Sequence, residues 1–278
     1  RVMKPPYLSY VSPKTLDEAA FLLDQDCENS KILAGGQSLV TMLNMRLIHP
    51  KILVDIKNIK ALNSINATDE GLLIGASVTQ QELLEYKELS LVSPLLYKAL
   101  PWVGHYQTRT KGTICGSIAH ADPSSEIPLC FALLNGKIKL KSLKSTREVR
   151  ADEFQTGMLS TACKSNEIIE SVFFPHLDSK VGIAFNEFSF RKGDFSLLSV
   201  AVIYRENSIT VGITGMTDKP DITVFPILSD DKIEDALNDL AWNLKGIGDH
   251  IASARYKRDL LRKIGKLTIG EAKKCQKF

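Results

Sequence analysis

Along the chain the apolar positions change period, and these changes predict a mixed α+β fold. Leu16, Ala20 and Leu23 recur at helical spacing, with Asp17 and Glu18 in the first turn where the helix dipole favours acids. Residues 15–25 therefore read as a helix entered from Ser12-Pro13. Lys31 to Ala34 and Ile52 to Ile56 read as strands. The segment between them, Ser38 to Leu47, reads as a helix, which makes a small β-α-β unit. Gly71 to Ala76, Lys137 to Leu143 and Ile168 to Phe174 read as further strands. Val78 to Tyr86 and Pro94 to Val103 read as helices.

The last third differs. Ala184 to Phe190, Leu197 to Tyr204 and Ile209 to Gly215 are strand-like, with Asn207 in a hairpin break. Helical stretches at Lys232 to Trp242 and Ile251 to Leu267 follow. Three strands and then two helices predict a separate α+β unit. The boundary falls between Pro175 and Lys180, giving domains 1–177 and 178–278, the first subdivided at about 57 and 58. No internal repeat is visible.

Composition narrows the class. The chain has 278 residues, 44% hydrophobic and 24% charged, as in ordinary globular proteins. No run of ~18 apolar residues predicts a membrane span. The opening Arg1 to Tyr7 has no apolar run after its charge and does not read as a secretory signal; Met3 reads as a possible native start. Net charge is +3, too small by itself to indicate nucleic acid. The basic stretch from Arg255 to Lys277 reads as a solvated helix face or a docking face for an acidic partner. The five cysteines are widely spaced and form no CxxC pair, which disfavours a zinc or iron–sulfur site here and fits a reducing cytoplasm.

Two Gly-containing segments are candidates for chemistry. Leu33-Ala34-Gly35-Gly36-Gln37-Ser38-Leu39 follows a strand; its glycines permit close backbone approach, and amides ahead of a helix suit a phosphate. Gly-Gly pairs also simply turn the chain. The second segment, Gly112-Thr113-Ile114-Cys115-Gly116-Ser117 continued to Glu126, reads as a long small-residue loop, costly unless it binds something. Asp122 suits a ribose hydroxyl or, equally, a cap before a helix at Ser124. A dinucleotide would explain both segments. Yet there is no G-x-G-x-x-G, no P-loop, no G-x-S-x-G elbow, and no histidine cluster at metal-ligand spacing.

AGGQSL (Ala34 to Leu39) together with VGHYQTRTKGTICGSIAHADPSSEIP (Val103 to Pro128) closely resembles the medium, FAD-binding subunits of the xanthine oxidase family of molybdenum hydroxylases. KPPYLSYVSPKTLDEAAFLL (Lys4 to Leu23), FNEFSFRKGDFSLLSVA (Phe185 to Ala201) and HIASARYKRDLL (His250 to Leu261) extend the resemblance across the chain in the family's order. The resemblance implies an FAD-binding fold of the vanillyl-alcohol oxidase type, with FAD between two α+β subdomains, followed by a three-stranded α+β domain.

It also implies a site. Ala34 to Ser38, including Gly35, Gly36 and Gln37, wraps the pyrophosphate from one side and Thr113 to Ser117, including Cys115 and Gly116, from the other, with Leu33, Leu39, Thr108 and Gly112 also in the cofactor-binding set. Asp122 matches the ribose position, with His120 beside it. Ile168 and Lys192 complete the implied set, Lys192 and Asp194 matching the RxGDF block near the flavin. No catalytic residue and no metal ligand are implied in this chain. Cys115 stands where the family usually has glycine, and reads as either a buried filler or a thiol near the flavin. The resemblance implies a cytoplasmic electron-transfer subunit working with a small [2Fe-2S] subunit and a large molybdopterin subunit, in a dimer of heterotrimers. A free-standing flavoprotein reductase of the same fold is the alternative. A nucleotide- or nucleic-acid-binding module is a third reading, against which the two loops argue together.

Overall fold

The computed structural model describes residues 4–276. Arg1, Val2, the start assigned to Met3, and Lys277 at the end of the basic stretch lie outside the described residues.

The predicted β-α-β unit forms. Ser30–Leu33 and Ile52–Asp55 pair in parallel, joined through the helix Leu39–Asn44. An additional strand, Ser9–Val11, pairs with Ile52–Asp55 from the other side, which places Ile52–Asp55 at the centre of three strands. Leu16–Gln25 covers this sheet, capped by Thr15, whose hydroxyl accepts the Glu18 amide. It buries Ala20 and Leu23 of the stripe read from the sequence, adds Ala19, and leaves Leu16 half-buried.

A five-stranded sheet follows. Ile168–Pro175 lies at its centre between Gly71–Gly75 and Lys137–Lys141, with Ile65–Thr68 and Thr146–Arg150 at the edges. Gln80–Leu84 begins in a capping box between Thr79 and Glu82. The helix expected over 94–103 is broken: Pro94–Ala99 is α-helical and Leu100–Trp102 is a 3-10 turn. Pro101 lacks the N–H that continued α-helix requires.

The expected three-stranded sheet of the second unit has four strands. Gly182–Phe188, Leu198–Tyr204, Ser208–Thr214 and Asp221–Pro226 form an antiparallel meander. Every residue of Leu198–Tyr204 is buried because the sheet is covered on both faces. Ile183, Phe185, Ala201 and Ile203 join the core of the first unit. Ala184, Val200, Val202 and Tyr204, alternating with them, pack beneath Asp230–Asn243 and Ala254–Cys275. Strand alternation thus couples the two units through one sheet.

Candidate functional site

Gly35 and Gly36 do different work. A Cβ on Gly35 would overlap the Lys111 carbonyl oxygen and lie 2.7 Å from the Gly112 Cα, so the first loop rests directly on the second. Gly36 has φ +72°, in the left-handed region that side chains disfavour. After it the chain turns into Leu39–Asn44, with Val40 donating to the Gly36 carbonyl at 3.0 Å. The amides of Gly35, Gly36, Gln37 and Ser38 donate to no protein acceptor among the described residues, and the Ser38 side chain makes no capping bond. Leu33 ends the strand and packs toward Gly36; Ala34 and Leu39 are half-buried on either side.

The second segment is not a long loop. From Ile114 to His120 it is a helix capped by Thr113, whose hydroxyl accepts the Gly116 amide at 2.9 Å. Ile114, Cys115 and Ile118 turn inward. This i, i+4 pattern is easily lost among glycine and serine. The strand-like contact of Thr79 with Thr113 fixes the entry: Gln80 donates to Gly112, and Ile114 donates to Val78. Thr108 accepts the amides of Lys111 and Gly112, closing the turn before it. The Thr113 and Cys115 amides are left without protein acceptors among the described residues. Two sets of free backbone donors are therefore held on adjoining loops. Such a cradle fits a pyrophosphate, whose oxygens accept several N–H groups at once.

Asp122 stands beyond the other end of this seven-residue helix, roughly 10 Å from its Thr113 end at 1.5 Å per residue. Ala121 adopts φ +54° to turn the chain, and one Asp122 oxygen accepts the Ser124 amide at 2.8 Å. Asp122 is a turn cap and still has a second oxygen for a ribose hydroxyl. His120 is half-buried in the helix's last turn, and Ser117 bonds Ser125 at 3.0 Å across the turn.

Ile168 is not brought to this group: its side chain is 1% exposed in the core strand, so a ligand contact there would go through backbone alone. Lys192 is exposed, its ammonium 5.7 Å from the Trp102 ring centre, in a hollow shared with His105 and Arg109. Gly193, at φ +92°, backs onto His105. The Lys192 segment of the second unit therefore rests on the loop leading into Tyr106–Arg109. Cys115 is 2% exposed and faces the Ile74 carbonyl, and burial drives its thiol far above the ordinary value. Its position is that of a filler, turned away from the loop amides.

Sequence reasoning missed Gln80, Trp102 and the buried acids Glu126 and Glu187. Glu126 had one signal: a carboxylate opening an otherwise apolar helix, EIPLCFAL.

The chain and its fold are similar to those of known proteins. The family described as the FAD binding domain in molybdopterin dehydrogenase matches residues 6–177. The chain is 32% identical to the nicotine 6-hydroxylase medium subunit of Paenarthrobacter nicotinovorans, covering 97% of this chain and 99% of that one. It is 30% identical to the glyceraldehyde dehydrogenase medium chain of Sulfolobus acidocaldarius, covering 94% and 96%. Among solved structures, a carbon monoxide dehydrogenase chain from Hydrogenophaga pseudoflava superposes with TM-score 0.94 at 26% identity, covering 99% of this chain and 100% of that one. A chain of quinoline 2-oxidoreductase from Pseudomonas putida 86 superposes with TM-score 0.92 at 27% identity, covering 98% and 99%.

Proposed function

The chain belongs to the family of FAD-binding domains of molybdopterin dehydrogenases, and from that premise we propose that it is the electron-transfer subunit of a multi-subunit molybdenum hydroxylase. The observation that carries the reading is the pair of loops with free amides, at Gly35–Ser38 and at Thr113 and Cys115, the first resting through Gly35 on Lys111-Gly112 just ahead of the second.

In this reading the loop amides and the Ser38 hydroxyl bind the pyrophosphate of FAD. Asp122 accepts from the adenosine ribose while capping its own turn. Thr108, Gly112, Gly116 and Ser117 hold the second loop in shape, and Leu33, Ala34, Gln37 and Leu39 hold the first. Lys192 approaches from the second unit on the flavin side. Bound FAD supplies reversible acceptance and release of electrons. The chain's residues supply position and electrostatics, and none is assigned a proton-transfer role toward an organic substrate.

The division into an FAD-binding domain, 1–177, and a C-terminal domain, 178–278, belongs to the same proposal. So do the partners: a small subunit with [2Fe-2S] clusters delivering electrons and a large molybdopterin subunit where substrate is hydroxylated. An external acceptor would take the electrons onward, in a cytoplasmic dimer of heterotrimers. The relatives named medium subunit or medium chain support a multi-subunit setting. No helix among the described residues is long and apolar enough to cross a membrane. An absorption spectrum of the purified chain after incubation with FAD tests the reading: bound flavin bands are expected, and a colourless protein that takes up no FAD overturns it.

A further inference from the structure

Two buried carboxyl groups meet where the first unit touches the second. Glu126 opens the helix Glu126–Leu133 and is 7% exposed; Glu187 lies in Gly182–Phe188 and is 9% exposed. The two carboxyl groups are close enough for each to act on the other's titration. Neither forms an ion pair with a lysine, arginine or histidine among the described residues. The other charge acting on Glu126 is Asp122, also acidic, and the thiol that Glu126 faces one turn on, Cys130, is itself buried. On its other side Glu187 meets a pair of hydroxyls. Ser199 donates to Glu187 Oε2 at 3.3 Å, and Ser196 shares a 2.8 Å bond with Ser199.

Glu187 Oε1 has no N–H or hydroxyl donor among the described residues. The donor that the contact with Glu126 can supply is a carboxylic O–H. Two neighbouring carboxylates in a dry interface without a cation cannot both stay ionised. Burial, and for Glu126 the neighbouring carboxylate, hold both groups above the ordinary carboxyl value of 4.5.

The position of the pair gives it consequence. Glu126 follows directly on the Asp122–Ser125 turn, whose Pro123 carbonyl also accepts the Gly215 amide of the second unit at 3.1 Å. Glu187, through Ser199 to Ser196, reaches the C-terminal end of the segment carrying Lys192. We propose that Glu126 and Glu187 are positioning residues that hold one proton between them, and that this proton fixes the Asp122 turn and the Lys192 segment relative to each other for FAD. This rests on the FAD reading above.

The sign follows from linkage. The folded pair binds its proton more tightly than the unfolded chain, so its stabilisation is full below about 4.5 and is lost as pH rises through the raised folded values. One linked proton changes an equilibrium by up to about tenfold per pH unit.

The test measures FAD affinity of the full chain by flavin fluorescence, and the melting temperature without FAD, at several values between about pH 5 and about pH 9. Wild type should lose affinity by about tenfold or more across the range and melt lower at high pH. Glu187→Gln supplies an amide N–H in place of the shared proton, and should flatten both profiles while keeping the low-pH affinity. Should Glu187→Gln not fold, Glu126→Gln reads the same quantities. A glutamine variant with the wild-type pH slope overturns the pair's role. A wild-type melting profile that falls with pH, and flattens in the variant, without any FAD binding, upholds the shared proton but overturns the FAD reading and the positioning role with it.

Discussion

A Cβ on Gly35 would lie 2.7 Å from the Gly112 Cα, so the two candidate phosphate loops meet only because residue 35 has no side chain. Gly36 serves a different need: its φ of +72° turns the chain into the helix that follows, and the amides on either side of that turn find no protein acceptor among the described residues.

Gly36→Val should therefore abolish FAD retention while leaving the core folded. The structure changes the reason from simple blockage of the ligand. A β-branched residue at this φ costs about 1–3 kcal/mol of local strain, and its side chain meets Val40 and Leu33, with the Gly36 Cβ position 3.1 Å and 3.3 Å from them. Far-ultraviolet circular dichroism should stay native while flavin content falls. A full flavin complement in the variant would show that this loop does not hold the phosphates.

Asp122→Ala should weaken FAD binding by about 1–3 kcal/mol, the cost of losing a charged hydrogen-bond partner, with little change in the flavin absorption maximum. Part of that loss comes from the turn, because Asp122 also caps Ser124. Asp122→Asn keeps an acceptor for Ser124 and isolates the charge. Unchanged affinity with a large spectral shift would instead place Asp122 beside the flavin ring.

The buried thiols should be inert. Cys115 and Cys130 are sealed, and burial drives both thiols far above the ordinary value, whereas Cys275 is exposed. Because the thiolate is the reactive form, a maleimide at neutral pH should label Cys275 in the native protein and reach Cys115 and Cys130 only after unfolding. Mass mapping reads the outcome; native labelling of Cys115 would put its sulfur in an open site.

Most central elements were legible because they carry a period: the 15–25 helix, the Ile168–Pro175 strand and the alternation from Ala184 onward. Four of the edge strands were not. Ser9–Val11, Ile65–Thr68, Thr146–Arg150 and Asp221–Pro226 each pair on one side only. Their short mixed runs bury too little to impose a pattern. The glycine pair and the Asp122 turn could be read locally, since backbone demands show in the residue itself. The helix after Thr113 was hidden because two of its seven residues, Gly116 and Ser117, are weak helix formers. Glu126 and Glu187 come from opposite sides of an interface, and no local spacing announces such a pair.

The central claim, a relay that needs partners, is tested most directly by substrate turnover with an artificial electron acceptor, using the FAD-loaded single chain and then the chain assembled with its molybdenum and iron–sulfur subunits. The flavin-bearing chain alone should oxidise no heteroaromatic or aldehyde substrate, and activity should appear only in the assembly. Turnover by the purified single chain would contradict this account and favour a free-standing flavoenzyme.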